Sequence, residues 1–146
     1  MSGVHETLGA ITIGVNWVAA LLGGLAWLTR RRIPGFWWLL RTGQALIIVE
    51  AVTGAALLLD GRDLPRLHLI YGLIPIAVSF VAEQLRLTAA QTVLDQHDLE
   101  GAADVAKLPE PEQHALVALI VRRETATMTA SAAVVALLAM RAQGWL

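Results

Sequence analysis

Four long stretches of this chain are almost uninterrupted runs of apolar residues, and the polar positions inside them recur every three or four residues. A bilayer core of roughly 30 Å is crossed by about 20 apolar residues in a helix, and residues 7–28 carry no charge at all. The pattern predicts spans at about 7–28, 36–59, 67–85 and 125–142. Within them the polar and small residues fall on single helical faces. His5, Gly9, Thr12 and Asn16 form one such stripe; Gly43, Ile47, Glu50 and Gly54, with Thr53 beside them, form a second; His68, Gly72, Pro75, Ser79 and Glu83 form a third. Such a face on a lipid-soluble helix looks into the bundle. The expected fold is therefore all-α, an integral membrane four-helix bundle occupying residues 1–146 as one domain.

Between the third and fourth spans, residues 86–124 keep helical periodicity at both ends and break around Asp95–Asp98, Gly101 and Pro109-Glu110-Pro111. Pro111 suits the first turn of a new helix. The third and fourth helices are expected to extend into a hairpin here. It reads either as a solvated hairpin, with His97 and His114 exposed, or as a docking surface for a membrane or cytoplasmic protein.

Composition supports the membrane assignment: 56% of residues are hydrophobic, 16% are charged, and the mean hydropathy is +0.61. Charge gives the expected orientation. Arg30, Arg31, Arg32, Arg41, Arg86, Lys107, Arg122 and Arg123 fall on one side, against Arg62, Arg66 and Arg141 on the other. Under the positive-inside rule the first group is cytoplasmic, both termini lie outside the cell membrane, and 86–124 is a cytoplasmic hairpin. Trp27, Trp37 and Trp38 would then stand at the inner headgroups, and Tyr71 and Trp145 at the outer. The absence of Lys and Arg ahead of the first span argues against a cleaved leader.

Several chemistries are excluded. Without cysteine there is no thiol redox chemistry, iron–sulfur cluster or thioether-linked heme. No phosphate-binding glycine loop and no Ser-His-Asp signature occur, and a net charge of −1 points to no nucleic-acid partner.

The chemistry-bearing residues are His5 and His68, each opening an apolar helix and each followed four residues on by glycine, Gly9 and Gly72. In the predicted topology both stand on the outer side at one depth. A heme held in a four-helix bundle takes an axial nitrogen from each of two helices, and a small residue one turn inward leaves room for the macrocycle. A lone Zn or Cu ion would want more ligands. The expected cofactor is thus heme b, with His5 and His68 as iron ligands, Gly9, Gly54 and Gly72 as space-makers, and Arg62 and Arg66 near the propionates. Met140 is the one substitute axial ligand within reach; packing is its ordinary role.

Glu50 is costly in hydrocarbon, at least about 2.5 kcal/mol if ionised. At 1.5 Å per residue it lies about 14 Å from the outer end of its helix, and Asn16 lies about 17 Å below His5. The two are expected to meet, as a register-fixing hydrogen bond or as a proton or quinone site. Glu83 is expected to pair with Arg86 or Arg41.

A histidine opening one helix, a helix from Gln44 to Gly54, a short outer loop and His68 opening the next helix resemble one half of heme A synthase, over residues 4–85. The resemblance implies paired histidines holding heme on the outer side. The chain departs from that family in having one half, in carrying Glu6 after its histidine, and in lacking a second heme pair, so heme A synthesis is not implied. Leu67-His68-Leu69-Ile70-Tyr71-Gly72 with Ser79-Phe80-Val81-Ala82-Glu83-Gln84-Leu85-Arg86 also resembles small four-helix bacterial membrane proteins. An electron carrier or heme-binding protein is the first expectation, more so than an enzyme. A non-catalytic subunit or assembly factor docking through 86–124 is the second, and a metal or lipophile transporter a third. Gly23-Gly24 and Ala126, Ala130, Ala133 and Ala136 or Leu137 offer close-packing faces, within the bundle or in a homodimer.

Overall fold

The computed structural model describes residues 2–63 and 65–146. They form α1 (Ser2–Thr29), α2 (Phe36–Leu59), α3 (Arg66–Asp95), a one-turn α4 (Ala102–Val105) and α5 (Glu110–Ala142), with no strand among the described residues. Four of these helices are long and apolar enough to cross a membrane. Large apolar side chains face outward on them, with Leu21 at 68%, Val52 at 63% and Phe80 at 65% exposure. A water-soluble chain rarely leaves so much apolar surface bare. The chain is thus consistent with a multi-pass helical membrane protein.

The third and fourth spans are parts of longer helices than their apolar runs. α3 runs on from the third span to Asp95, and α5 is continuous from Glu110 through the fourth span. Pro109 at the cap, Pro111 in the first turn, and Glu110 and Glu112 beside the exposed N–H groups start α5, since proline lacks the donor that would be orphaned there and carboxylates complement the helix dipole. Val93 and Leu116 are buried in this segment, while His97 and His114 are exposed. Next to it, hydrogen bonds from Lys107 and from the Glu100 N–H hold the Asp104 carboxyl below its usual range.

α5 is the central element: it packs along both α1 and α3, while α2 lies mainly on α1. α2 and α3 follow one another in sequence yet touch little, so one seam of the bundle is open. The core lies toward the α1–α2 turn, around Ala19, Phe36, Leu40, Ala82, Met128 and Ala132. Gly23 supports it: a side chain there would run into Thr129 and Phe36, whereas Gly24 only reaches ordinary contact with Thr129. The Gly23 face is therefore used inside the bundle. Asn16 is buried, donates to the Thr12 carbonyl at 2.9 Å and occupies the space left by Gly43.

Near the same end, the α2–α3 seam is clamped by charge. Glu83 accepts hydrogen bonds from Arg41, from Gln44 (3.0 Å) and from Arg86 (3.0 Å), and Arg86 reaches on to Glu124 of α5 at 3.7 Å. Glu83 thus pairs with both expected arginines at once.

All four long helices end in one way. One to three residues past the last helical residue the chain turns left-handed, and the next N–H closes back to a carbonyl five residues earlier: Arg31 to Ala26, Arg62 to Leu57, Leu99 to Leu94, Trp145 to Met140. The left-handed residue is Gly61 after α2, Gly144 after α5 and Asp98 after α3, but Arg30 (φ 56°) after α1. Glycine takes this conformation freely and Asp tolerates it, while a residue with a long side chain pays steric energy. Arg30→Gly is accordingly expected to raise stability by about 1 kcal/mol; a midpoint of detergent unfolding no higher than wild type would refute it.

Candidate functional site

At the opposite end of the bundle, the open α2–α3 seam becomes a cleft of about 190 Å³, bordered by His5, Glu50, Gly54, His68 and Gly72 and floored by Ala139 and Ala142 of α5 and by Gln143, which caps it. Its lining is mostly apolar, and one side is open. The two imidazoles meet in it, with ring centroids 5.7 Å apart and planes inclined by 70°.

Each ring is anchored through Nδ1. His68 Nδ1 lies 2.9 Å from the Ala142 carbonyl, which can only accept, so Nδ1 carries the proton. His5 Nδ1 lies 3.1 Å from Glu50 Oε2 and 3.2 Å from Thr53 Oγ1. The Thr53 hydroxyl already donates to the Val49 and Glu50 carbonyls at 3.0 Å, so toward His5 it accepts, and here too Nδ1–H is the donor. Both rings therefore keep the Nε2 lone pair free, and no group among the described residues bonds either Nε2. A ligating imidazole is ordinarily held this way, its second nitrogen fixed by a carboxylate or a backbone carbonyl. The remaining oxygen of Glu50, Oε1, is buried with no partner.

The other expected site residues divide. Gly54 and Gly72 border the cleft; the nearest group to a side chain at Gly54 would be His5 Cε1 at 3.6 Å, and a side chain at Gly72 would meet open space. Gly9 also borders the cleft, but a side chain there would strike Gln143, so its space serves packing against α5. Arg62 and Arg66 are exposed and stand outside the cleft lining. Arg141 lies over the Tyr71 ring and bonds the Leu146 carbonyl. Met140 is not turned to the histidines: its Sδ accepts from the Trp17 indole at 3.3 Å.

The expected Glu50–Asn16 contact is absent. Measuring depth from the helix ends misplaced both residues, because α1 begins only one turn before His5 while α2 continues more than a turn beyond Gly54. His5 is consequently level with Glu50–Gly54, and Asn16 is level with Gly43. The α5 contribution has no sequence signature, because it is a backbone carbonyl; the one cue is Gly144, which marks where α5 stops and leaves last-turn carbonyls such as that of Ala142 in need of donors.

Among the described residues no group of three or more His, Cys, Asp or Glu is placed to hold a metal ion. Compared with protein-family models, with curated proteins and with solved structures, the chain matches none. Fold and site together define a helical protein suited to a membrane, with a paired-histidine cleft open along one seam.

Proposed function

We propose that the chain is a membrane heme-binding protein of the bis-histidine b type, with His5 and His68 as axial ligands, serving electron transfer or heme handling. The observation that carries this reading is the pair of imidazoles, each with Nδ1 tied to the protein and Nε2 free, side by side in an apolar cleft. With ring centroids 5.7 Å apart, His5 and His68 are the two residues that would hold the iron. A bare ion asks for three or four protein donors, whereas a heme iron asks for two.

Gly54 and Gly72 leave the space beside the rings clear. The cleft's 190 Å³ falls below the roughly 300–1,000 Å³ of enclosed ligand sites, so a macrocycle would be walled by helices on one side and left against lipid on the other. When bound, heme supplies a one-electron iron couple. The protein's own part is to orient both rings, keep water away with apolar walls, and offer Glu50 Oε1 as a proton acceptor beside His5. Held by both histidines, such a heme would supply electron transfer and not oxygen chemistry. The resemblance of residues 4–85 to one half of heme A synthase points the same way, and the distribution of arginines favours the outer face of a cell membrane for this site.

The test is the visible spectrum of detergent-purified protein titrated with hemin, oxidised and dithionite-reduced. A Soret band with sharp reduced α and β bands at one heme per chain is expected. A protein that stays colourless and takes up no hemin overturns the reading, and leaves the His68–Ala142 bond as a cap on the last carbonyls of α5 and the bundle as a non-catalytic subunit.

A further inference from the structure

A second cavity, of about 980 Å³, lies at the end of the bundle away from the histidines, between the α1–α2 turn and the N-terminal half of α5. Six arginines border it with one carboxylate, Glu124. Arg41 and Arg86 are taken up by Glu83 and Glu124. Arg30, Arg31, Arg32 and Arg122 have no carboxylate partner among the described residues.

Two independent features mark this cluster as built for an anion. The Nε of Arg122 is buried without any hydrogen-bond partner, while its guanidinium lies 5.6 Å over the Trp27 ring; a buried donor left unpaired is costly unless something accepts from it. And Arg30 holds the left-handed position that glycine or aspartate fills at the three other helix ends, so the chain keeps a guanidinium at the cavity mouth at a steric cost.

The surroundings select the kind of anion. Trp27, Trp37 and Trp38 line the same cavity, as amphipathic rings do at the headgroup level of a membrane. Leu25 and Leu28, the neighbours in α1 of the cavity-lining Ala26 and Trp27, are exposed, and Val117 of the lining is exposed as well, so apolar surface is at hand for acyl chains. Arginine forks match phosphate oxygens in pairs, and basic pockets between membrane helices suit anionic headgroups. We infer that this cavity is a binding site for an anionic phospholipid, its phosphate held by Arg122 and the Arg30–Arg32 turn. The inference is independent of the heme reading.

The experiment is native mass spectrometry of the full chain in neutral detergent, titrated with phosphatidylglycerol or with phosphatidylcholine of the same acyl chains. Phosphatidylglycerol is expected to bind at least about tenfold more tightly, and Arg30→Gly with Arg122→Gln to bring it down to the phosphatidylcholine level. Arg62→Gln with Arg66→Gln removes equal charge at the far end and is expected to leave retention unchanged. Arg31→Gln with Arg32→Gln, both exposed, gives the same loss as the first pair without touching a buried group, should that pair fail to fold. Equal retention of the two lipids overturns the inference, as does an equal loss in the far-end pair. Displacement of the lipid by millimolar inorganic phosphate would make the site one for free phosphate and overturns the lipid assignment.

Discussion

Alanine at His68 is expected to abolish the sharp reduced α band and to weaken hemin binding by more than about 100-fold, and alanine at His5 to do the same. Removing a residue that orients a ligand already costs 10–100-fold, and removing the ligand itself costs more. The two rings differ in what holds them, which gives the test a finer grain. His68 is oriented by the Ala142 carbonyl, a backbone group that no substitution deletes. His5 is oriented by Glu50 and Thr53, which can be changed singly. Glu50→Gln should leave both ligands in place yet lower affinity about 10–100-fold, and should raise the reduction potential, because a carboxylate makes its imidazole a stronger donor to oxidised iron. A spectrum unchanged in His5→Ala or His68→Ala would remove that residue from the iron, and an unchanged potential in Glu50→Gln would reduce that residue to packing.

The second large effect belongs to the bundle itself. Gly23→Ala is expected to destabilise by about 1–3 kcal/mol, the usual range for overpacking, while Gly24→Ala next to it is neutral or stabilises by up to about 1 kcal/mol, as an alanine replacing glycine in a helix normally does. The asymmetry follows from the neighbours. At Gly23 a methyl group runs into Thr129 and the Phe36 ring; Phe36 is fully buried and the branched Thr129 has little rotamer freedom. At Gly24 the nearest atom stands at 4.0 Å. Unfolding midpoints of the two variants in detergent settle it: equal shifts would mean that Gly23 is no more tightly packed than Gly24.

The number and extent of the apolar helices were legible because bilayer thickness fixes a run length and the runs are nearly unbroken. The meeting of His5 with His68 was legible as well, since both sit in the first turns of helices entering from one end, where a common depth needs no further information. What sequence could not supply was relative depth farther in. His5 meets Glu50 and not a helix end, and Asn16 meets Gly43, because α1 and α2 are offset along their axes by an amount that only packing around Phe36 and Gly23 sets. Nor could residue types reveal that Met140 answers Trp17, that Gly9 faces Gln143, or that Ala142 offers a carbonyl, since these depend on how α5 threads between α1 and α3. The arginine run was legible as a topology signal; its gathering with Arg122 across a cavity was not, because 90 residues separate them.

The open seam between α2 and α3 also decides from which phase the histidine cleft is reached. Its mouth gives onto the apolar flank of the bundle, where Leu58 and Leu73 stand exposed. On the proposed reading, a guest would dissolve first in the hydrocarbon and arrive sideways, so that occupancy would follow its mole fraction among the lipids, with the surrounding bilayer as both reservoir and competitor for the cleft.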